Sequence, residues 1–131
     1  MVLIFWLSSR TSNESSQQSG VILEWLIEHF GDGFFTDFIV RKSAHFLEFA
    51  GLAFLFNVSF LQTKKRRMPI IAAIATSLYA LSDEIHQIFV EGRSCQLSDW
   101  ILDSCGGVFG TIAFLVLFIL LTYTIKKKKY R

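Results

Sequence analysis

Apolar residues run through this chain in three long blocks, and polar residues enter those blocks mainly at one end. The blocks are His45–Gln62 (HFLEFAGLAFLFNVSFLQ), Pro69–Val90 (PIIAAIATSLYALSDEIHQIFV) and Gly106–Ile125 (GGVFGTIAFLVLFILLTYTI). Each is close to the roughly 20 residues a helix needs to cross a hydrocarbon core of about 30 Å. The opening MVLIFWL has the same character but covers only about a third of a membrane, so it reads as the tail of a further span. It makes a poor signal peptide, having no basic n-region.

Between that tail and the first block, SSRTSNESSQQSG has almost nothing to bury and is expected to be a loop. VILEWLIEHF places Val21, Ile22, Trp25, Leu26, His29 and Phe30 at helical spacing, with Glu24 and Glu28 on the other face. That pattern predicts a short amphipathic helix over residues 20–30, lying on the membrane surface and closed by Gly31-Asp32-Gly33. The architecture expected is an all-α polytopic bundle forming one membrane domain over residues 1–131. Its spans fall at about 43–62, 69–90 and 100–125, after an extracytoplasmic loop over 8–43.

Composition agrees with a membrane protein. Of the 131 residues, 52% are hydrophobic and 14 are Phe, and the mean hydropathy is +0.44, above what soluble domains carry. The net charge is +2, but the charges are sorted along the chain. Lys64, Lys65, Arg66 and Arg67 lie between the first two blocks, and Lys126, Lys127, Lys128, Lys129 and Arg131 end the chain, while every acid lies elsewhere. Short cytoplasmic loops collect Lys and Arg, so both clusters are expected inside and residues 8–43 and 91–105 outside. Read as topology signals, the basic runs argue against nucleic acid as a partner.

At about 100° per residue, Arg41, His45, Glu48 and Ser59 share an arc on the first block, with Lys42 and Gly51 on its flanks and Leu52 interrupting it. Thr76, Tyr79, Ala80, Asp83 and Gln87 share a face of the second, flanked by Glu84 and His86. Asp99, Asp103, Gly106 and Gly110 line up on the third, with Gly107 adjacent. An ionised side chain facing lipid at mid-helix costs at least about 2.5–3.5 kcal/mol, so these stripes are expected to face one another in one outward-open polar chamber. Gly106-x-x-x-Gly110, and Gly51 from its flank, would let the helices approach closely. In the connecting VEGRSCQLSDW, Gly92 turns the chain, Ser98 or Asp99 caps the last span, Trp100 marks the interface, and Arg93 either folds onto the carboxylates or meets an external anion. The sequon-like Asn57-Val58-Ser59 lies inside a span and carries no weight.

The order RKSAHFLEFAGLAF, then SLYALSDEIHQIFVEGRSCQLSDWILDSCGGVFG, resembles the VanZ-like family of small bacterial membrane proteins. That family's pattern runs through K-x-x-H, D-E-x-x-Q, G-R and D-x-x-x-N/D-x-x-G. The matching positions are Lys42, His45, Asp83, Glu84, Gln87, Gly92, Arg93, Asp99, Asp103 and Gly106 or Gly107, within residues 38–121. FWLSSRTSNESSQQS is similar to the end of the family's first helix and the loop after it, which would make MVLIFWL the remnant of a longer span. The family is typically four-helical and takes its name from a protein associated with resistance to the glycopeptide teicoplanin. The resemblance therefore implies a role in the bacterial envelope, at the plasma membrane, and implies no known reaction.

Two classes of function compete for these residues. In the first, Lys42 and Arg93 grip a phosphate or carboxylate of a lipid headgroup or cell-wall precursor. His45, Glu48, Asp83, Glu84, Gln87, Asp99 and Asp103 complete the binding site, and lipoglycopeptide antibiotics lose access to their target. In the second, the protein is a membrane-embedded hydrolase or transferase with Asp83, Glu84 and His45 as catalytic acid, base and proton carrier. No nucleophile motif supports it, and Asp83 and Glu84 point about 100° apart. A zinc site built on His45, Glu48 and Glu84 or His86 lacks the second histidine at i+4, so no metal and no cofactor are expected. Proton-coupled transport finds no internal repeat to support it. The plainest alternative makes the charges structural, as in a Lys42–Asp99 pair. Cys95 and Cys105 are expected to be free thiols, and a homo-oligomer stays open.

Overall fold

In the computed structural model, which describes residues 1–31 and 35–129, the chain forms five helices and no strand among the described residues. They are α1 (Val2–Ser8), α2 (Ser12–Phe30), α3 (Asp37–Lys64), α4 (Pro69–Gln87) and α5 (Leu97–Lys129). The fold is all-α, as the apolar blocks predict. Two helices, α3 and α5, are long and apolar enough to cross a membrane, rather than the expected three. The last turns of α4 carry Asp83, Glu84, His86 and Gln87, and this polarity separates it from the other two.

The serine-rich segment is a correction. It is not a loop but the first half of α2, which starts at Ser12 instead of residue 20. The side chain of Thr11 accepts from the Glu14 backbone N–H at 3.3 Å while Glu14 Oε2 accepts the Thr11 N–H at 3.0 Å, a reciprocal cap that satisfies two N-terminal donors. Ser19 is buried and donates to Asp37 at the start of α3, and Ser16 donates to the same carboxylate at 3.4 Å. Polar docking, not apolar burial, holds this half of α2. Val21, Ile22, Trp25 and Phe30 on its second half are exposed. Gly31 closes the helix with φ 89°, while Asp32 and Gly33 of the expected turn, and Arg131 of the C-terminal basic run, lie outside the described residues.

α3 likewise starts earlier than expected, at Asp37, because Thr36 caps it by accepting from Ile39 N–H at 3.3 Å. α5 starts at Leu97, so Ser98 and Asp99 lie in its first turn instead of capping it. Trp100 is half-buried, donating its indole N–H to the Ser77 carbonyl at 3.1 Å.

Packing is densest where α5 crosses α3. A Cβ on Gly106 would collide with the Phe46 carbonyl, and one on Gly110 with the Ala50 carbonyl. Such small-xxx-small faces let helix backbones touch in a membrane. Gly107 faces α4 instead, where a Cβ would come within 2.9 Å of the Thr76 methyl. Gly51 does not share the role expected of it, since a Cβ there would meet nothing within 4 Å. Ser59 also leaves the expected stripe and is exposed, while Leu52, Phe49, Ile4 and Ala80 form the apolar core. Deeper in the bundle, Asn57 is fully buried and donates to Ala53 O at 2.9 Å and to Thr111 Oγ1 of α5 at 3.3 Å. α1 lies along α4, its Met1 carbonyl accepting from Tyr79 Oη at 2.8 Å.

These contacts predict opposite outcomes for two glycines. Gly110→Leu drives a side chain into backbone that cannot yield, at the upper end of the about 1–3 kcal/mol typical of overpacking. Gly51→Ala stabilises by up to about 1 kcal/mol through helix propensity alone. Thermal melting of the two variants in detergent checks both signs.

Candidate functional site

α3 and α5 begin where α4 ends, so the polar ends of all three helices meet at one end of the bundle. Arg41, Lys42, His45 and Glu48 recur at three- and four-residue spacing on the first turns of α3 and therefore stack along one side. Asp83, Glu84 and Gln87 come from the last turns of α4, Arg93 from the following loop, and Asp99 and Asp103 from the first turns of α5.

The carboxylates divide by partner. Lys42 pairs with Asp99, which also accepts from Ser98 Oγ at 3.1 Å, so the plain structural pair foreseen from the sequence does form. Asp83 Oδ2 accepts from Gln87 Nε2 at 3.1 Å, and that amide also reaches Ser8 Oγ of α1 at 3.4 Å. Glu84 Oε2 accepts the backbone N–H of Gln96 at 2.9 Å, fastening the 88–96 loop across the helix ends. Asp83 and Glu84 share no hydrogen bond among the described residues. Asp83, Glu84, Gln87 and Asp103 are only 1–5% exposed, which keeps them out of contact with lipid. Among the described residues, neither oxygen of Asp103 has a partner, nor do Asp83 Oδ1, His45 Nδ1 or Arg93 Nε.

Two cavities open beside this cluster. The larger, of about 300 Å³, is lined by Lys42, Asp99, Gln87, Gln96 and residues of the Gly92–Ser94 turn. The smaller, of about 190 Å³, reaches under α2 to Ser19 and Glu48. Arg41, His45 and Arg93 line both. A space of about 10 Å³ lies among Lys42, His45, Glu84, Asp99, Leu102 and Asp103. The loop can place Arg93 beside the two larger cavities because Gly92 adopts φ 73°, a conformation that a Cβ disfavours, close against Ser12 of α2.

Arg93 does not fold onto the carboxylates. Among the described residues its guanidinium makes no ion pair or hydrogen bond. Arg41 is shared with Asp37 at 3.9 Å. Burial and the nearby Arg41 charge push Arg93 below the usual arginine range, and Asp83, Glu84 and Glu48 pull it back; it stays a cation at neutral pH. The arrangement thus offers, beside two cavities, a guanidinium with no ion pair among the described residues, a group suited to holding an anion.

His86 belongs elsewhere. Its ring stacks on Phe5 at 4.5 Å and its Nε2 lies 3.1 Å from Ser9 Oγ, so it secures α1. Among the described residues no group of three or more His, Cys, Asp or Glu is placed to hold a metal ion. Cys95 and Cys105 are free and exposed. The sequence reading passed over Asp37, which gathers α2 and Arg41, and Gln96, which anchors the loop. Asp37 carried a signal, directly after the Thr36 cap, whereas a backbone N–H such as that of Gln96 carries none.

A family model described as VanZ/LLP1 matches residues 1–123. No curated protein and no solved structure matches the chain.

The Glu84–Gln96 bond generates a prediction. Glu84→Leu leaves the Gln96 N–H without its acceptor at a cost of about 1–3 kcal/mol, while Glu84→Gln retains an acceptor. Amide hydrogen exchange at Gln96 is expected to speed up in the leucine variant and to change little in the glutamine variant.

Proposed function

Since the chain belongs to the VanZ/LLP1 family, we propose that it is a bacterial plasma-membrane protein that lowers the binding of lipoglycopeptide antibiotics of the teicoplanin type. In this reading α3, α4 and α5 all cross the membrane. At 19 residues α4 reaches about 28 Å, close to the hydrocarbon thickness. The basic runs at 64–67 and 126–129 then face the cytoplasm, and the recess opens outward. The apolar side of α2, with Trp25 and Phe30 exposed, lies on the outer surface of the bilayer.

The observation that carries the proposal is Arg93, which lines both cavities and forms no ion pair among the described residues. An anionic lipid headgroup or cell-wall precursor fits there, its phosphate or carboxylate on Arg93 and Arg41 and its hydroxyls toward Gln87 and the carboxylates. Holding such a group makes the surface less accessible to a drug that docks on lipid and precursor together.

The test uses a susceptible bacterium expressing the wild type, Arg93→Gln, or the Asp83→Asn, Glu84→Gln pair at matched membrane levels. Surface binding of a fluorescent teicoplanin-type drug is compared with that of vancomycin. The wild type is expected to lower binding of the lipidated drug and the variants to leave it near the level of cells without the protein. Variants as active as the wild type would contradict the proposal. A chemically altered lipid pool in wild-type cells alone would point instead to a hydrolase or transferase acting through Asp83, Glu84 and His45.

A further inference from the structure

Against the lipid-facing side of the recess, α3 and α5 form an apolar groove of about 430 Å³, bounded by Phe38, Ile39, Phe46 and Leu47 of α3 and Leu102 of α5. Phe38 and Lys42 line both the groove and the larger polar cavity, so the two spaces share a wall. Lys42 Nζ lies 5.3 Å from the Phe38 ring and pairs with Asp99 at that wall. On the polar side Asp37 is paired with Arg41 and Asp99 with Lys42, while Arg93 feels Asp83, Glu84 and Glu48 at longer range and forms no ion pair among the described residues. A recess that holds a guanidinium without an ion pair, continuous with a greasy groove, matches a molecule that is anionic at one end and aliphatic at the other.

We propose that the ligand of this site is a single anionic phospholipid, entering sideways between α3 and α5. Its phosphate sits against Arg93 and Arg41, and one acyl chain lies along Phe38, Phe46, Leu47 and Leu102. This deepens the reading above and rests on it for the role of the recess. A soluble phosphate would use the recess alone, whereas a lipid uses recess and groove together.

The experiment uses the purified full chain in detergent and native mass spectrometry with three probes: didecanoyl phosphatidylglycerol, didecanoyl phosphatidylcholine and glycerol 3-phosphate. Wild type is expected to retain phosphatidylglycerol at least about tenfold more tightly than either of the others. Arg93→Gln is expected to lose about tenfold of that affinity, as removal of one charge-assisted hydrogen bond would cause. Leu47 is 63% exposed, so Leu47→Trp fills the groove without entering the core. It is expected to weaken phosphatidylglycerol about tenfold and to leave glycerol 3-phosphate binding unchanged. Equal binding of phosphatidylcholine, equal binding of glycerol 3-phosphate, or undiminished phosphatidylglycerol binding by Leu47→Trp would each overturn the proposal. If phosphatidylglycerol binds as expected while cells show unchanged drug binding, the lipid site stands and the antibiotic role falls. If drug binding falls while no phosphatidylglycerol is retained, the lipid site falls alone.

Discussion

Only hydrogen separates the α-carbons of Gly106 and Gly110 from the carbonyl oxygens of Phe46 and Ala50, and that lets α5 lie directly on the backbone of α3. The contact sets more than a crossing. It brings the first turns of both helices side by side, so that Lys42 reaches Asp99 and the side chain of Asp103 is closed off from lipid. With any larger residue the helices would separate, and the carboxylates of α5 would face either hydrocarbon or an open gap. Gly107 extends the same logic to α4, and Asn57 with Thr111 adds one hydrogen bond where neither group has access to water.

The polar end of the bundle is organised around that contact by partners of graded strength. Glu84 holds the loop through a backbone N–H, Gln87 orients Asp83, and Asp37 collects Arg41 and two serines of α2. These interactions use up most of the local charge. Arg93, where two cavities meet, forms no ion pair among the described residues, and neither oxygen of Asp103 has a partner there. Removing the Glu84 carboxylate from this cluster would therefore disturb the position of the loop.

The long helices were legible because a bilayer imposes one length and one polarity on each span, and the aligned Asp103, Gly106 and Gly110 were legible because helical angle depends on spacing alone. Angle also brought Asp83 and Gln87 onto one face. It misled at Gly51 and Ser59, where the buried side of α3 is taken instead by Leu52, Ala53 and Asn57. The serine-rich start of α2 was illegible for another reason. It has no apolar period, and its helix depends on a capping box and on a carboxylate more than 15 residues away in the chain. The role of Arg93 required the fold, since sequence offered it both the carboxylates and an outside anion. The family's pattern selected most of the site residues, but it does not say that His86 serves α1 or that Glu84 is held by Gln96.

All of this serves the envelope only if the recess opens on the outer side of the membrane. Cys95 is exposed in the loop that bears Arg93 and reports on that side directly. With Cys105 replaced by serine, a membrane-impermeant maleimide applied to intact cells should label Cys95 as fully as it does after permeabilisation. Labelling that appears only once the cells are permeabilised would put the recess in the cytoplasm and contradict the account.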